Sequence, residues 1–198
     1  MKFVCLMLYA VLLLTLAGCA VEKGARSGPA ARVLTLSQAT NPDDIIDSMD
    51  STTGWNFYLD KKAKVTLSSV PGHVGQAVKV SYDMMDGGWV AIKKNINKDL
   101  SKIRKIRFAV MGEGSENSFE IRFEDINQVN QGYLLKVKSN VGAWKIVEVP
   151  MSAFEYWWGP KSDFDWKRVK DLNFAVSKKE NDQGGSGKVY IDQVEIIR

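Results

Sequence analysis

The sequence predicts an all-β fold, an antiparallel β-sandwich jelly roll, and three observations lead to it. Apolar and polar residues alternate with a period of two in one segment after another, the mark of strands buried on one face and wet on the other. Clusters of Gly, Pro, Asn and Asp interrupt those segments at short intervals. Only Asn97 to Lys102 and Ser152 to Tyr156 suit helical turns. Many short strands divided by frequent turns build a sandwich or a jelly roll.

In chain order, the first segment is not part of that fold. It opens with one charge, Lys2, runs uncharged from Phe3 to Leu16, and reaches Leu16-Ala17-Gly18-Cys19. A charged start, a short apolar run and a small-residue cleavage site make a secretory signal over residues 1–18. The apolar run falls short of the ~20 residues that cross ~30 Å of hydrocarbon. Residues 19–42 are rich in Ala, Gly, Ser and Pro without apolar period, and read as a flexible tether. Residues 43–198, about 155 in all, suffice for one domain with a sizeable core.

Within that domain the alternation is explicit. Val78, Val80 and Tyr82 alternate with Ala77, Lys79 and Ser81; Ile106, Phe108 and Val110 with Arg107, Ala109 and Met111; Phe119, Ile121 and Phe123 with Glu120, Arg122 and Glu124. Further strand-like runs cover Tyr133–Lys138, Trp144–Val149, Leu172–Val176 and Val189–Ile197. Turns fall at Pro71-Gly72, Gly87-Gly88, Gly112 to Gly114, Gln131-Gly132, Asn140 to Gly142 and Asp182 to Gly187.

The Leu-Ala-Gly-Cys run resembles the lipobox of bacterial lipoproteins, which implies acylation of Cys19 and attachment to a membrane through a lipid anchor. Ala20 in place of an aspartate implies outer-membrane sorting within the cell envelope. The alternative is an ordinary secreted protein with a cysteine near its cleavage site. Cys5 would leave with the leader, so Cys19 would have no disulfide partner in the mature chain. The formal charge of +4 falls by one with Lys2, too small and too dispersed an excess for nucleic acid.

Ile46-Asp47-Ser48-Met49-Asp50 followed by Gly54-Trp55 resembles the opening of family 11 carbohydrate-binding modules, jelly rolls of the galactose-binding-like type. Met49 and Asp50 stand where that family has phenylalanine and glutamate. Gly75 to Val80, Gly87-Gly88-Trp89-Val90, Trp144 to Phe154 and the closing Val189-Tyr190-Ile191-Asp192-Gln193-Val194 agree with its later landmarks in order. The resemblance implies a domain that binds polysaccharide or oligosaccharide without cleaving it. It also implies a structural Ca2+ held by oxygens of the first and last strands, at positions matched by Asp50 and Asp192; hard carboxylates and carbonyls suit that ion. The alternative use of the same fold is an envelope protein-interaction or assembly module.

Trp55, Trp144 and Phe154 match framework positions and are expected in the core. Trp89, Tyr133, Tyr156, Trp157 and Trp158 are candidate platforms for the C–H face of a pyranose. The run Tyr156-Trp157-Trp158 is expected on a loop before Gly159-Pro160, where it meets a ligand, tucks beneath the sandwich, or packs on the tether or membrane. Glu120, Arg122 and Glu124, with Arg107 on the neighbouring strand, form either a polar row that bonds sugar hydroxyls or a solvated ion-paired face worth little in stability.

No enzyme is expected. Glu120 and Glu124 are four residues apart on a strand, ~13 Å between Cα atoms at ~3.3 Å rise, against ~5 to 9.5 Å between the carboxyl groups of glycosidases. His73, the single histidine, sits in a turn with no matching nucleophile. Gly184-Gly185-Ser186-Gly187-Lys188 lacks the first glycine of a phosphate loop and leads into a strand, so it reads as a hairpin connection.

Overall fold

The computed structural model describes residues 41–198; the expected leader 1–18, Cys19 and the tether up to residue 40 lie outside them. Twelve strands are present among the described residues: β1 Ile45–Asp47, β2 Trp55–Leu59, β3 Lys64–Pro71, β4 Gln76–Asp83, β5 Trp89–Lys98, β6 Lys105–Gly114, β7 Ser118–Asp125, β8 Asn130–Lys138, β9 Lys145–Pro150, β10 Glu155–Trp158, β11 Val169–Ser177 and β12 Ser186–Ile197. They form two antiparallel sheets. One has the order β3-β4-β12-β6-β9, with β1 also paired to β12; the other has the order β10-β8-β7-β11-β5-β2. The all-β sandwich predicted from the alternation is the observed fold.

The alternation does what a period of two requires. Phe108 from β6 meets Phe174 from β11 edge-on at 5.2 Å, and Phe119 from β7 stacks on Phe174 at 6.0 Å. Ile106, Val110, Ile121, Phe123, Leu172, Val189 and Ile191 are fully buried around them. Each such side chain contributes ~1.5 to 3 kcal/mol by leaving water. Trp55 joins this core, 6.2 Å from Phe174, and Phe154 closes its far end against Phe123 and Trp166. Those two framework expectations hold. Trp144 differs: it is half-buried on the outer face of the first sheet, between His73 and Tyr190.

The helical turns largely dissolve into sheet. Met151–Ala153 is a single 3-10 turn, while Glu155–Trp158 continues as a strand. Asn97 and Lys98 end β5, with Asn97 in the left-handed region at φ 44°.

One crossing decides which polar residues meet. β6 and β7 are joined by only Ser115, Glu116 and Asn117, yet they lie in different sheets. Gly114, at φ 98°, makes the bend; a Cβ there would stand 2.6 Å from the Ser186 carbonyl. Buried Asn117 then holds the corner, exchanging hydrogen bonds with the Gly184 carbonyl and amide at 3.1 and 2.7 Å. The polar faces of β6 and β7 therefore point to opposite sides of the molecule.

Candidate functional site

β7 is one of the two central strands of the second sheet, with Phe119, Ile121 and Phe123 turned to the core and Glu120, Arg122 and Glu124 turned out. Register sets their neighbours. Glu120 lies opposite Ala175 of β11 and Leu134 of β8; Arg122 lies between Asn173 and Gly132; Glu124 lies between Asp171 and Asn130. On β5, Trp89, Ala91 and Lys93 continue these rows beside Ser177, Ala175 and Asn173. Small residues in the middle rows leave the surface recessed. An open cleft of about 480 Å3 results, with Trp89 on one side, Trp158 on the other, and Glu120, Arg122, Ser177 and Lys179 among its lining.

Trp157 and Trp158 come from the edge strand β10, whose pairing with β8 shifts register between Tyr156 and Trp158. A bulge of this kind re-aims side chains at a sheet edge. The Trp157 indole lies flat over Gly132, where any Cβ would come within 2.3 Å of its ring. Trp158 packs beside Trp157 at 5.9 Å and covers the Arg122 guanidinium, whose carbon is 4.8 Å from the ring centroid. Trp89 and Trp158 remain 40% and 44% exposed, so both can still take a ligand on their faces.

The floor is charged. Glu120 is buried and accepts hydrogen bonds on Oε1 from Ser177 Oγ at 2.5 Å and Lys179 Nζ at 2.9 Å. Glu124 and Asp171 share Lys93 and Lys170 at 3.4 to 3.9 Å. Arg122 forms no ion pair among the described residues. Burial draws its pKa down from the ordinary value, while Glu120 and Glu124 pull it back; the guanidinium stays charged. Its Nε and the neighbouring Asn173 Nδ2 are buried donors without a protein acceptor.

The expected residues thus divide. Trp89, Glu120, Arg122 and Trp158 line the cleft, Trp157 backs its wall, and Glu124 extends the same face. Arg107 does not belong there: it lies on the outer side of the other sheet, bonded to Glu148 at 2.7 Å and to Glu195 at 3.2 Å. Tyr133 is opposite Ile121, which turns it inward against Phe154 at 6.2 Å. Tyr156 sits on the opposite face of the edge strand, donating to the Gly159 carbonyl at 2.7 Å beside a second shallow hollow with Gln131 and Phe164. Sequence reasoning missed Tyr58, half-exposed on β2 with Lys93 Nζ 5.2 Å from its ring, and the cleft-lining Ser177, Lys178 and Lys179. The strand-like run that ends at Val176 was the available signal for the last three.

Asp50 and Asp192 do come together, at the other end of the first sheet. The turn from Gly72 to Gly75 lies directly on them: a Cβ at Gly72 would be 2.6 Å from Asp192 Oδ2, and one at Gly75 would be 2.8 Å from Asp50 Oδ1. Asp192 Oδ2 accepts from the Val74 amide at 2.7 Å, and Asp50 Oδ1 from the Gln76 amide at 2.9 Å. Asp192 is completely buried and its Oδ1 has no partner. Burial raises its pKa, and the charge of Asp50 adds to that. Neither carboxylate has an ion pair among the described residues, and no third His, Cys, Asp or Glu joins them there. An orphaned buried carboxylate oxygen beside a second carboxylate fits a hard divalent cation whose remaining ligands are carbonyls.

The profile described as the carbohydrate binding domain of family 11 matches residues 30–198 of this chain. Among solved structures, the family 11 module from Clostridium thermocellum, in complex with a β-1,3-1,4-mixed-linked tetrasaccharide, is similar in fold. It has a TM-score of 0.65 and 24% identity, covering 78% of this chain and 94% of its own. The family 30 module of a cellulosomal cellulase from the same organism matches with a TM-score of 0.60 and 16% identity, over 77% of this chain and 95% of its own. A mannan endo-1,4-β-mannosidase of Bifidobacterium adolescentis is 24% identical over 132 residues; the match takes in 61% of this chain and 13% of the enzyme.

Proposed function

The chain belongs to the family 11 carbohydrate-binding domains, and on that premise we propose that it binds a polysaccharide or oligosaccharide across the outer face of its second sheet, without cleaving it. The observation that carries this reading is the cleft itself: two half-exposed tryptophans, Trp89 and Trp158, stand over a polar floor of Glu120, Arg122 and Ser177. Indole faces suit the C–H faces of pyranose rings, while the floor offers donors and acceptors to hydroxyls. The tetrasaccharide bound by the Clostridium thermocellum module supports a chain of several sugars as the ligand. A flat apolar patch would have favoured a protein partner in the envelope; a recessed polar floor favours a glycan.

Catalysis is not part of the proposal. Glu120 and Glu124 are held by lysines, and their strand separates their Cα atoms by ~13 Å. A calcium ion held by Asp50 and Asp192 would be structural, tying the turn at Gly72 to Gly75 to β12. Acylation of Cys19 and placement at the outer membrane complete the proposal, so that the domain holds glycan near the cell.

The test is a glycan panel, plant, algal and bacterial, applied to the full chain with calorimetry on the hits. Trp89→Ala and Trp158→Ala are each expected to weaken binding by about 2 kcal/mol, some 30-fold in Kd. A panel without a single binder, or a hit indifferent to both substitutions, would remove the reading. Incorporation of labelled palmitate, lost in Cys19→Ser, tests the anchor; equal labelling of both chains would count against it.

A further inference from the structure

Charge on the cleft floor is not balanced. The three carboxylates of the floor strands each have a lysine: Glu120 has Lys179, while Glu124 and Asp171 have Lys93 and Lys170. Two cations lining the cleft, Arg122 and Lys178, have no carboxylate within ion-pair distance among the described residues. Arg122 is the more costly of the two. Its Nε is buried without an acceptor, and so is Asn173 Nδ2, its register partner on β11. A buried charge with unpaired donors costs stability unless something completes it.

From this we propose that the glycan is acidic, with an anionic substituent, a uronate carboxylate or a sulfate ester, seated over Arg122. The inference rests on the carbohydrate reading of the same face. A guanidinium presents parallel N–H donors that match such a group in a fork, which a hydroxyl cannot do. The anion accepts only, so it can pair with the Nη donors of the cleft-lining Arg122, which no carboxylate engages among the described residues, without bringing a donor that needs an acceptor. Trp158 fixes the plane of the guanidinium and leaves one wall for the sugar ring that carries the charge. Lys178, exposed at the rim, adds attraction at longer range. Glu120 does not oppose this, since Lys179 and Ser177 engage it.

The experiment compares ligands that differ in charge alone. De-esterified polygalacturonate is measured against its methyl ester, and a sulfated galactan against the same galactan desulfated, by calorimetry on the full chain at low and high salt. The acidic member of one pair is expected to bind at least tenfold more tightly at low salt, with the ratio shrinking as salt rises; which pair shows it tells carboxylate from sulfate. Arg122→Gln should bring that ratio close to one, and Lys178→Gln, at an exposed position of the rim, should lower it severalfold. Equal affinity within both pairs, or preference for the neutral members, overturns the acidic ligand and leaves the carbohydrate reading standing. Absence of binding to these and to neutral β-glucans removes both.

Discussion

Gly132 offers a test of how the cleft wall is held. Replacing it with alanine adds one methyl group at a point 2.3 to 2.5 Å from three atoms of the Trp157 indole. Carbon atoms rest at ~3.5 to 4.0 Å, so the ring must retreat by about 1 Å or more. β8 cannot yield instead, because it is hydrogen-bonded between β7 and β10. Gly132 does not have a positive φ, so alanine suits its backbone and the whole cost arises from the clash. Overpacking of this kind costs ~1 to 3 kcal/mol. Trp157 is packed on Trp158, which covers Arg122, so the displacement should reach the ligand site. Urea unfolding is expected to place Gly132→Ala about 2 kcal/mol below the wild type, with a tryptophan emission shift and weakened glycan binding. Trp157→Ala removes the obstacle, and adding Gly132→Ala to it should then cost almost nothing; contacting residues couple in this way by ~0.5 to 3 kcal/mol. Strictly additive losses in the double variant would refute the reasoning, because they would mean that the methyl group does not meet the ring.

Three further outcomes follow from the same geometry. Asp182 is buried, which alone would raise its pKa, but Lys138 and the Lys179 and Ser118 amides bring it down to about 2. Against ~3.9 unfolded, this contributes about 2 kcal/mol that is present above pH ~4 and lost as pH falls through ~2; the stability gap between wild type and Asp182→Asn should close across that window, and a gap constant from pH 6 to 2 would contradict it. Phe174→Ala, at the meeting point of Trp55, Phe108 and Phe119, should cost ~3 to 5 kcal/mol in urea unfolding; a loss below 1 kcal/mol would mean that the sandwich does not depend on this cluster. Calcium should raise the Tm of the wild type, and chelation should reverse it, whereas Asp192→Asn should respond to neither. An unchanged wild-type Tm under chelator would exclude the ion.

Much of the sandwich was legible because alternation reports burial directly. β4, β6 and β7 are visible in this way, and β8, β9, β11 and β12 as further strand-like runs; for β7 the alternation also gives the outward set, Glu120, Arg122 and Glu124. Alternation says which residues share a face of one strand, and nothing about which sheet that strand joins. Arg107 was placed beside Arg122 because β6 precedes β7, while the bend at Gly114 sends them to opposite sheets. Tyr133 fails for a different reason: it shares its face of β8 with Leu135 and Val137, and pairing with Ile121 turns that face to the core, so an aromatic ring taken by itself says nothing of its side. Trp157 and Trp158 were expected on a loop because β10 has four residues and no clear alternation; its strand character comes from β8 beside it. Tyr58 and Lys178 lie far in sequence from Arg122, and only the sheet order brings them to one face.

The two halves of the cleft also differ in how firmly they are built. Its floor belongs to β7, β11 and β5, each hydrogen-bonded on both sides, so their amides should exchange with solvent only when the whole domain unfolds. Its indole wall belongs to β10, four residues paired on one side only. Detaching that strand breaks a few bonds and leaves the sandwich intact, so the wall has a local opening free energy well below the global one. Glycan occupancy, by pinning β10, should slow amide exchange there while leaving the floor strands unchanged. The same strand that completes the site is therefore the place where occupancy is written into the protein's dynamics.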